Sequence, residues 1–142
     1  MSPKTFKAMG LVSGRAQGEA LVSRRAFTFA HGVEPKTGKV TDVRSDIVGS
    51  MVAGAVLFYP FGKGSTTASS WFLETVRSGS APAAIVTDSV DLSAVIGSVL
   101  AKLMYDKGIP VLARFSIDLY GEIRPGNRVN VDGSSGELTI LR

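Results

Sequence analysis

The chain has 142 residues, of which 44% are hydrophobic and 20% are charged, with no cysteine and one histidine. This length and composition predict a single folded domain over residues 1–142, and the lack of cysteine excludes disulfides and thiolate metal sites within the chain. The net charge is +4, but the basic residues are scattered, so an ordinary basic surface is favoured over a nucleic-acid-binding one.

The longest apolar stretch, residues 51–61, is shorter than a membrane span. The first ten residues lack the continuous apolar segment of a secretory signal. We therefore expect a cytoplasmic protein with neither a membrane nor a nucleic acid as its partner, whereas a small anionic substrate remains compatible with the net charge.

Short β-prone segments and long loops fill the first third of the chain. Residues 18–23 predict a strand, which residues 26–29 extend or follow. Residues 31–42, HGVEPKTGKVTD, predict a long loop or a wide hairpin, because glycine, proline and mixed charge recur there. Residues 52–59 form an unbroken apolar run closed by Pro60, which is typical of a strand covered on both faces.

Strand and helix patterns alternate in the middle of the chain. Apolar positions 72, 73 and 76 predict a helix that Gly79 ends, and residues 81–88 predict a second buried strand. Helical spacing returns at the apolar positions 92, 95, 96, 99, 100 and 103, and a Gly-Ile-Pro sequence at 108–110 stops that helix.

Three more strands are predicted at residues 109–114, 128–133 and 136–142, the last two as a hairpin. Alternation of strand and helix implies parallel strands joined by right-handed crossovers. The prediction is an α/β domain with central parallel strands, two crossover helices and antiparallel flanking strands that give a barrel-like flank.

The segment 60–70, PFGKGSTTASS, carries the clearest chemistry. A strand, a glycine-rich turn and a helix N-terminus form a common anion site, because the first backbone N–H groups of the helix are free and its dipole is positive there. Lys63 adds a mobile cation, while Gly62 and Gly64 permit a positive φ or a close approach. The first-turn hydroxyls belong to Ser65, Thr66 and Thr67. An N-cap needs one hydroxyl and no lysine, so the segment indicates more than capping.

Two familiar catalytic patterns do not fit this segment. A P-loop is excluded because Gly64 separates the lysine from the hydroxyl and Leu57 stands where the first glycine belongs. A serine hydrolase is disfavoured because the sole histidine, His31, lies in a distant loop, where a solvated role is favoured. Two uses stay open: Ser65 as a proton-abstracting base whose alkoxide is stabilised by backbone amides and Lys63, or a non-catalytic anion-binding module.

Four segments resemble, in order, the small subunit of aconitase X enzymes: SGRAQGEALVS, HGVEPKTGKVTD, SMVAGAVLFYPFGKGSTTASSWFLETVRSGSAPAAIV and KGIPVL. The resemblance covers nearly the whole chain and implies a swivelling β/β/α domain that closes on a separate large subunit, as a heterodimer or higher assembly. It implies that the large subunit holds an iron–sulfur cluster and that Ser65 removes a proton from the substrate carbon, while the cluster iron acts as a Lewis acid on the departing hydroxyl.

The same resemblance implies the remaining site residues and the substrate. Lys63, Gly64, Thr66 and Thr67 would bind the substrate beside Ser65. Arg15 and the turn around Gly32 would border the site, with a solvated loop role as the alternative for the arginine. Two hydro-lyase substrates are associated with the family, and the modest charge content favours cis-3-hydroxy-L-proline over mevalonate 5-phosphate, because it argues against a hyperthermophilic source.

Overall fold

The computed structural model of the protein describes residues 3–63, 67–114 and 119–141. These ranges contain eight strands and three helices. In chain order they are β1 (Lys4–Lys7), β2 (Met9–Val12), β3 (Arg15–Val22), β4 (Val56–Tyr59), α1 (Thr67–Arg77), β5 (Ala84–Thr87), α2 (Leu92–Tyr105), β6 (Val111–Ala113), α3 (Leu119–Glu122), β7 (Arg128–Asp132) and β8 (Glu137–Leu141).

The strands form one mixed sheet in the order β1-β8-β7-β3-β4-β5-β6-β2. The central strands β3, β4, β5 and β6 are parallel, and α1 and α2 are the crossovers between them. The outer strands are antiparallel, with β1, β8 and β7 on one side and β2 on the other. This confirms the predicted α/β class, with central parallel strands, two crossover helices and antiparallel flanking strands.

Strand β4 is apolar at every position, rather than at every second one, because both of its faces are buried. Leu57 and Tyr59 face a core shared with α1 and α2, whereas Val56 and Phe58 face a second core against the antiparallel strands. All four side chains are fully buried. The parallel strands therefore form the middle layer of a β/β/α arrangement.

The turn between β7 and β8 contacts the backbone around β2, the strand at the opposite edge of the sheet, so the antiparallel flank closes. The Ala8 N–H donates to the Gly136 carbonyl at 2.7 Å, and the Gly133 N–H donates to the Gly14 carbonyl at 2.8 Å. A side chain at Gly10 would overlap the carbonyl of Gly133, so these backbones touch directly. The predicted barrel-like flank owes its closure to this contact.

Helix α1 packs large side chains under it and ends as predicted. Phe72 and Val76 are buried against the sheet. Gly79 has a φ of 77°, its N–H donates to the Val76 carbonyl, and the Ser80 N–H donates to the Thr75 carbonyl. These two bonds form a Schellman motif and confirm the prediction that Gly79 ends the helix.

Helix α2 packs through small residues instead. Its buried residues are Ala94, Gly97, Ser98 and Ala101. A Cβ added at Gly97 would lie 2.6 Å from Phe72 Cδ2, so α1 and α2 approach closely there. Most of the apolar stripe that predicts this helix from the sequence lies on its exposed face. The helix ends at Tyr105, because Asp106 adopts the left-handed conformation with a φ of 56° just before the predicted stop.

Several predicted boundaries are wrong. The strand expected at 52–59 begins at Val56, because residues 53–55 turn and Gly54 has a φ of 72°. Residues 26–29 contribute a single bridge, from Phe27 to Gly62, rather than a strand. The long loop or wide hairpin predicted at 31–42 is present, with one antiparallel bridge from Val33 to Val40. Strands β1 and β2 and the short helix α3 were not predicted. None of the helices within the described ranges is both long and apolar enough to cross a membrane.

Candidate functional site

The candidate site lies at the carboxyl ends of the parallel strands, where the chain passes from β4 to α1. Such an edge is where open α/β sheets place their ligands. Gly64, Ser65 and Thr66 lie outside the described residues, so their assigned roles stay predictions. The structure describes both flanks of this segment, with Lys63 on one side and Thr67, the first residue of α1, on the other.

Lys63 is held in place by its backbone and by its charge. Its N–H donates to the Phe27 carbonyl at 2.8 Å, and its Nζ lies 3.1 Å from Asp42 Oδ2. The side chain of Asp42 is only 12% exposed. A hydrogen bond from the Arg44 N–H, followed by the ammonium of Lys63, holds the pKa of Asp42 below its ordinary value. Asp42 is therefore ionised at neutral pH.

Gly32 is linked to Lys63 through the same aspartate. The Gly32 carbonyl accepts hydrogen bonds from the N–H groups of Thr41, at 2.9 Å, and Asp42, at 3.4 Å. A side chain at Gly32 would collide with the carbonyl of Thr28, so the turn requires glycine. The structure thus brings the turn around Gly32 together with Lys63, next to the segment that carries Ser65.

Gly62 is needed for a close approach rather than for a positive φ. A Cβ at this position would lie 2.5 Å from the carboxylate of Asp91. Asp91 caps α2 by accepting from the Ser93 N–H at 3.0 Å, and it also accepts from the hydroxyl of Tyr59 at 2.6 Å. Burial, with the nearby carboxylate second, raises the pKa of Tyr59 well above its ordinary value, so the phenol remains a donor.

A cavity of about 240 Å³ opens beside Lys63, between the loops that follow β4 and β5. Its polar lining residues include Lys63, Asp91 and Ser93. Its apolar lining includes Phe27, Phe29, Phe61 and Phe72. A small molecule with an apolar body and a charged end fits such a lining.

The sole histidine contacts α1. His31 is exposed, has a φ of 57°, and packs against Trp71 in a tilted arrangement with 4.5 Å between the ring centroids. This contact fastens the loop at 31–42 to the helix that follows the candidate site. The structure gives His31 a packing contact in addition to the solvated loop position that the sequence favours.

Arg15 lies elsewhere. It is the first residue of β3, at the opposite end of that strand from the loop that holds Lys63. Its Nε is 3.4 Å from Asp132 Oδ2, and its side chain is 87% exposed. The structure therefore does not bring Arg15 and Lys63 together within this chain.

Sequence reasoning missed two carboxylates that organise the site. Asp42 closes the motif HGVEPKTGKVTD, and it accepts a hydrogen bond from the backbone N–H of Arg44, two positions further along the chain. Asp91 immediately precedes the helical pattern of α2, where an aspartate is a preferred N-cap. That capping preference was a usable signal for Asp91, whereas the pairing of Asp42 with Lys63 depends on a contact between distant segments.

Comparison with known proteins settles the family. A sequence model of the aconitase X swivel domain matches residues 5–140. The chain belongs to the aconitase X family. The phosphomevalonate dehydratase small subunit of Pyrococcus furiosus is 36% identical over 136 residues, which cover 96% of this chain and 95% of that protein. The corresponding subunit of Methanosarcina mazei is 32% identical over 142 residues, covering 100% of this chain and 94% of that protein.

A solved structure of Thermococcus kodakaraensis aconitase X in its holo form superposes on this aconitase X chain with a TM-score of 0.87 and 34% identity. The match covers 98% of this chain and 99% of that one. These findings confirm the resemblance to the aconitase X small subunit, the swivel-domain fold and the enzyme class, a subunit of a dehydratase. The names of these relatives do not support the preferred substrate, cis-3-hydroxy-L-proline, and favour the alternative.

The side chains of this aconitase X subunit do not fit an iron–sulfur cluster. The chain has no cysteine. In the part of the chain that the structure describes, no three or more histidine and acidic residues gather in a way that would hold a metal ion. No cluster ligand is therefore assigned to this chain.

Proposed function

We propose that this chain is the small subunit of a phosphomevalonate dehydratase, which removes water from mevalonate 5-phosphate once a large subunit covers the candidate site. The observation that carries the proposal is the 36% identity to the Pyrococcus furiosus subunit of that name, over 96% of this chain and 95% of the relative. This substrate takes the place of cis-3-hydroxy-L-proline. The large subunit is proposed to hold the iron–sulfur cluster of the enzyme.

Ser65 is the proposed base. Its place between Lys63 and the first residue of α1 supports this role, because helix N-terminal amides and a nearby ammonium lower the cost of an alkoxide. No acidic residue occupies the first turn of α1 to offset its dipole. In the reaction the Ser65 alkoxide would take the proton from the substrate carbon and become a hydroxyl, while the C–O bond on the neighbouring carbon breaks and the departing hydroxide is protonated to water. Asp42 would keep the ammonium of Lys63 at a fixed place beside this step.

One anionic end of the substrate is proposed to bind at the same helix terminus. Mevalonate 5-phosphate carries a carboxylate and a phosphate, and either suits the positive end of a helix dipole. Lys63 and Thr67 flank that position, and Gly64 and Thr66 belong to the segment between them. The neighbouring cavity of about 240 Å³, with its phenylalanine lining, would receive the apolar part of the molecule.

The test is turnover by the complex of this chain with the aconitase X large subunit from the same genome, assayed separately on mevalonate 5-phosphate and on cis-3-hydroxy-L-proline. We expect dehydration of the phosphate ester, and we expect Ser65→Ala to lower kcat by about 10²–10⁴-fold with association unchanged. Ser70→Ala is the matched control, because Ser70 lies on the exposed side of α1. Retained turnover with Ser65→Ala would contradict the catalytic role, and turnover of hydroxyproline alone would contradict the substrate.

A further inference from the structure

Helix α2 carries its bulky apolar side chains on the outside. A helix on the surface of a globular protein normally turns such residues towards the core. Here the exposed set, called the α2 apolar face below, comprises Leu92, Ile96, Val99, Leu100, Leu103 and Met104. Leu103, the most exposed of them, shows 78% of its surface.

The inner side of α2 explains why this face stays exposed. The close approach of α1 at Gly97 leaves room there for small residues only, so the large residues have no space beneath the helix. Their outward position is therefore enforced by the packing of the two helices. It does not arise from rotation of a loosely held element.

The size of the α2 apolar face suits a protein interface. Its six residues together present roughly 600 Å² of mostly apolar surface, at the upper end of what one patch on a monomer usually exposes. A stable protein interface takes about 800 Å² from each partner. The face would thus supply most of one such interface.

The chemistry of the face also suits an interface core. Residues 92–101 contain no charged side chain, and the first charge along the helix is Lys102. Interface cores are depleted in charge and enriched in methionine, which adapts to an irregular partner surface. A complementary surface on the partner would accordingly be aliphatic or aromatic and uncharged.

The α2 apolar face is continuous with the candidate site. Leu92, its first residue, lines the same cavity as Lys63 and Phe61. Phe61 is itself 52% exposed. The proposed function has a large subunit cover the candidate site, and a protein that covers Lys63 and Phe61 also meets Leu92 at the start of the face.

We infer that the α2 apolar face, extended by Phe61, is the surface on which the aconitase X large subunit docks, through an uncharged apolar patch of its own. This inference rests on the proposed function, since it takes the dehydratase complex as the working form. Under this inference α2 binds the large subunit, and the loop that precedes α1 carries the chemistry.

The experiment measures the affinity between the purified small subunit and the purified large subunit by isothermal titration calorimetry. The test variant is Ile96→Glu combined with Leu103→Glu, which puts two carboxylates on the face and none in the candidate site. Val48→Glu is the matched control, because Val48 and Ile96 are both 48% exposed. We expect the double variant to bind at least about 30-fold more weakly and the control to stay within about 2-fold.

Three outcomes would overturn the inference. The first is binding of the double variant within about 3-fold of wild type. The second is failure of the wild-type chain to bind the large subunit. The third is a wild-type small subunit that is a dimer by itself and becomes a monomer in the double variant, with the large subunit bound equally by both; the face would then belong to a second copy of this chain. Circular dichroism melting of each isolated variant confirms that the comparison is between folded proteins.

Turnover separates this inference from the proposed function. With the double variant present in excess of its weakened Kd, we expect kcat on mevalonate 5-phosphate to return to the wild-type value, because the face takes no part in the chemistry. If the wild-type complex forms but leaves mevalonate 5-phosphate unchanged, the proposed function fails, while the binding ratio still decides whether α2 is the docking surface.

Discussion

The two crossover helices lie side by side on one face of the sheet, but their large apolar side chains lie on opposite sides. Those of α1 face the core, whereas those of α2 face solvent. α1 buries Phe72 and Val76 and shows solvent a polar side with the Glu74–Arg77 ion pair. α2 buries alanine, glycine and serine and shows solvent a row of aliphatic side chains. Apolar residues at helical spacing thus predict a helix, whereas the neighbouring element determines which face of that helix packs into the core.

The largest expected effect comes from the core side of α1. Phe72→Ala removes a fully buried ring that packs on Phe29, with 4.8 Å between centroids, and we expect the free energy of unfolding to fall by about 3–5 kcal/mol. Leu103→Ala on α2 is the control, with an expected change within about 0.5 kcal/mol. Urea unfolding of the isolated subunit measures both. Similar losses in the two variants would contradict the conclusion that α1 packs its large side chains into the core and α2 does not.

The next effect concerns the aspartate that begins α2. Asp91→Ala removes the N-cap bond to Ser93 and leaves the buried hydroxyl of Tyr59 without its acceptor, so we expect a loss of about 2–3 kcal/mol. Tyr59→Phe alone should cost less. In the double variant the losses should be less than additive, because the two residues share one hydrogen bond. Strict additivity, measured by urea unfolding, would show that the bond contributes nothing.

A smaller effect is expected where the helices touch. Gly97→Ala raises helix propensity by about 1 kcal/mol but places a methyl group 2.6 Å from Phe72, so we expect a net loss of about 1–2 kcal/mol. In a Phe72→Leu background the same substitution should cost less, because the facing ring is gone. An equal loss in both backgrounds would mean that the close approach of the two helices does not determine which face of α2 carries its large apolar residues.

The smallest effect is pH-dependent and concerns the loop before α1. The pKa of Asp42 lies below its ordinary value of 3.8, so its ionised form adds stability that is present above about pH 4 and is lost as the pH falls through the lower, folded-state pKa. Asp42→Asn should cost about 1 kcal/mol at pH 7, because Lys63 is partly exposed. The difference from wild type should shrink at pH 3, and an unchanged difference would contradict the assignment.

Local patterns predicted much of this fold. The run of apolar residues before Pro60, the Gly79 helix end and the hairpin between β7 and β8 all depend on neighbours in sequence, and the structure confirms them. Strand β1 escaped prediction because its partner β8 lies at the far end of the chain. The start of β4 was misplaced because apolar residues 52–55 are buried or turned without joining the sheet.

In the candidate site, too, some features depend on residues close in sequence and others on contacts between distant segments. The glycine-rich turn with Lys63 was predicted from its own residues, and the cap at Asp91 was open to the same reasoning. The ion pair between Lys63 and Asp42 required knowledge that two loops meet. The exposure of the α2 apolar face was equally hidden, since its spacing is that of an ordinary core-facing helix.

The pairing of β1 with β8 has a consequence for how the molecule assembles. The hydroxyls of Thr5 and Thr139 meet at 3.0 Å although 134 positions separate them along the chain. On the ribosome the first strand must wait until the last one has emerged, and closing so long a loop is entropically slow. We therefore expect the pair of β1 and β8 to form late in folding.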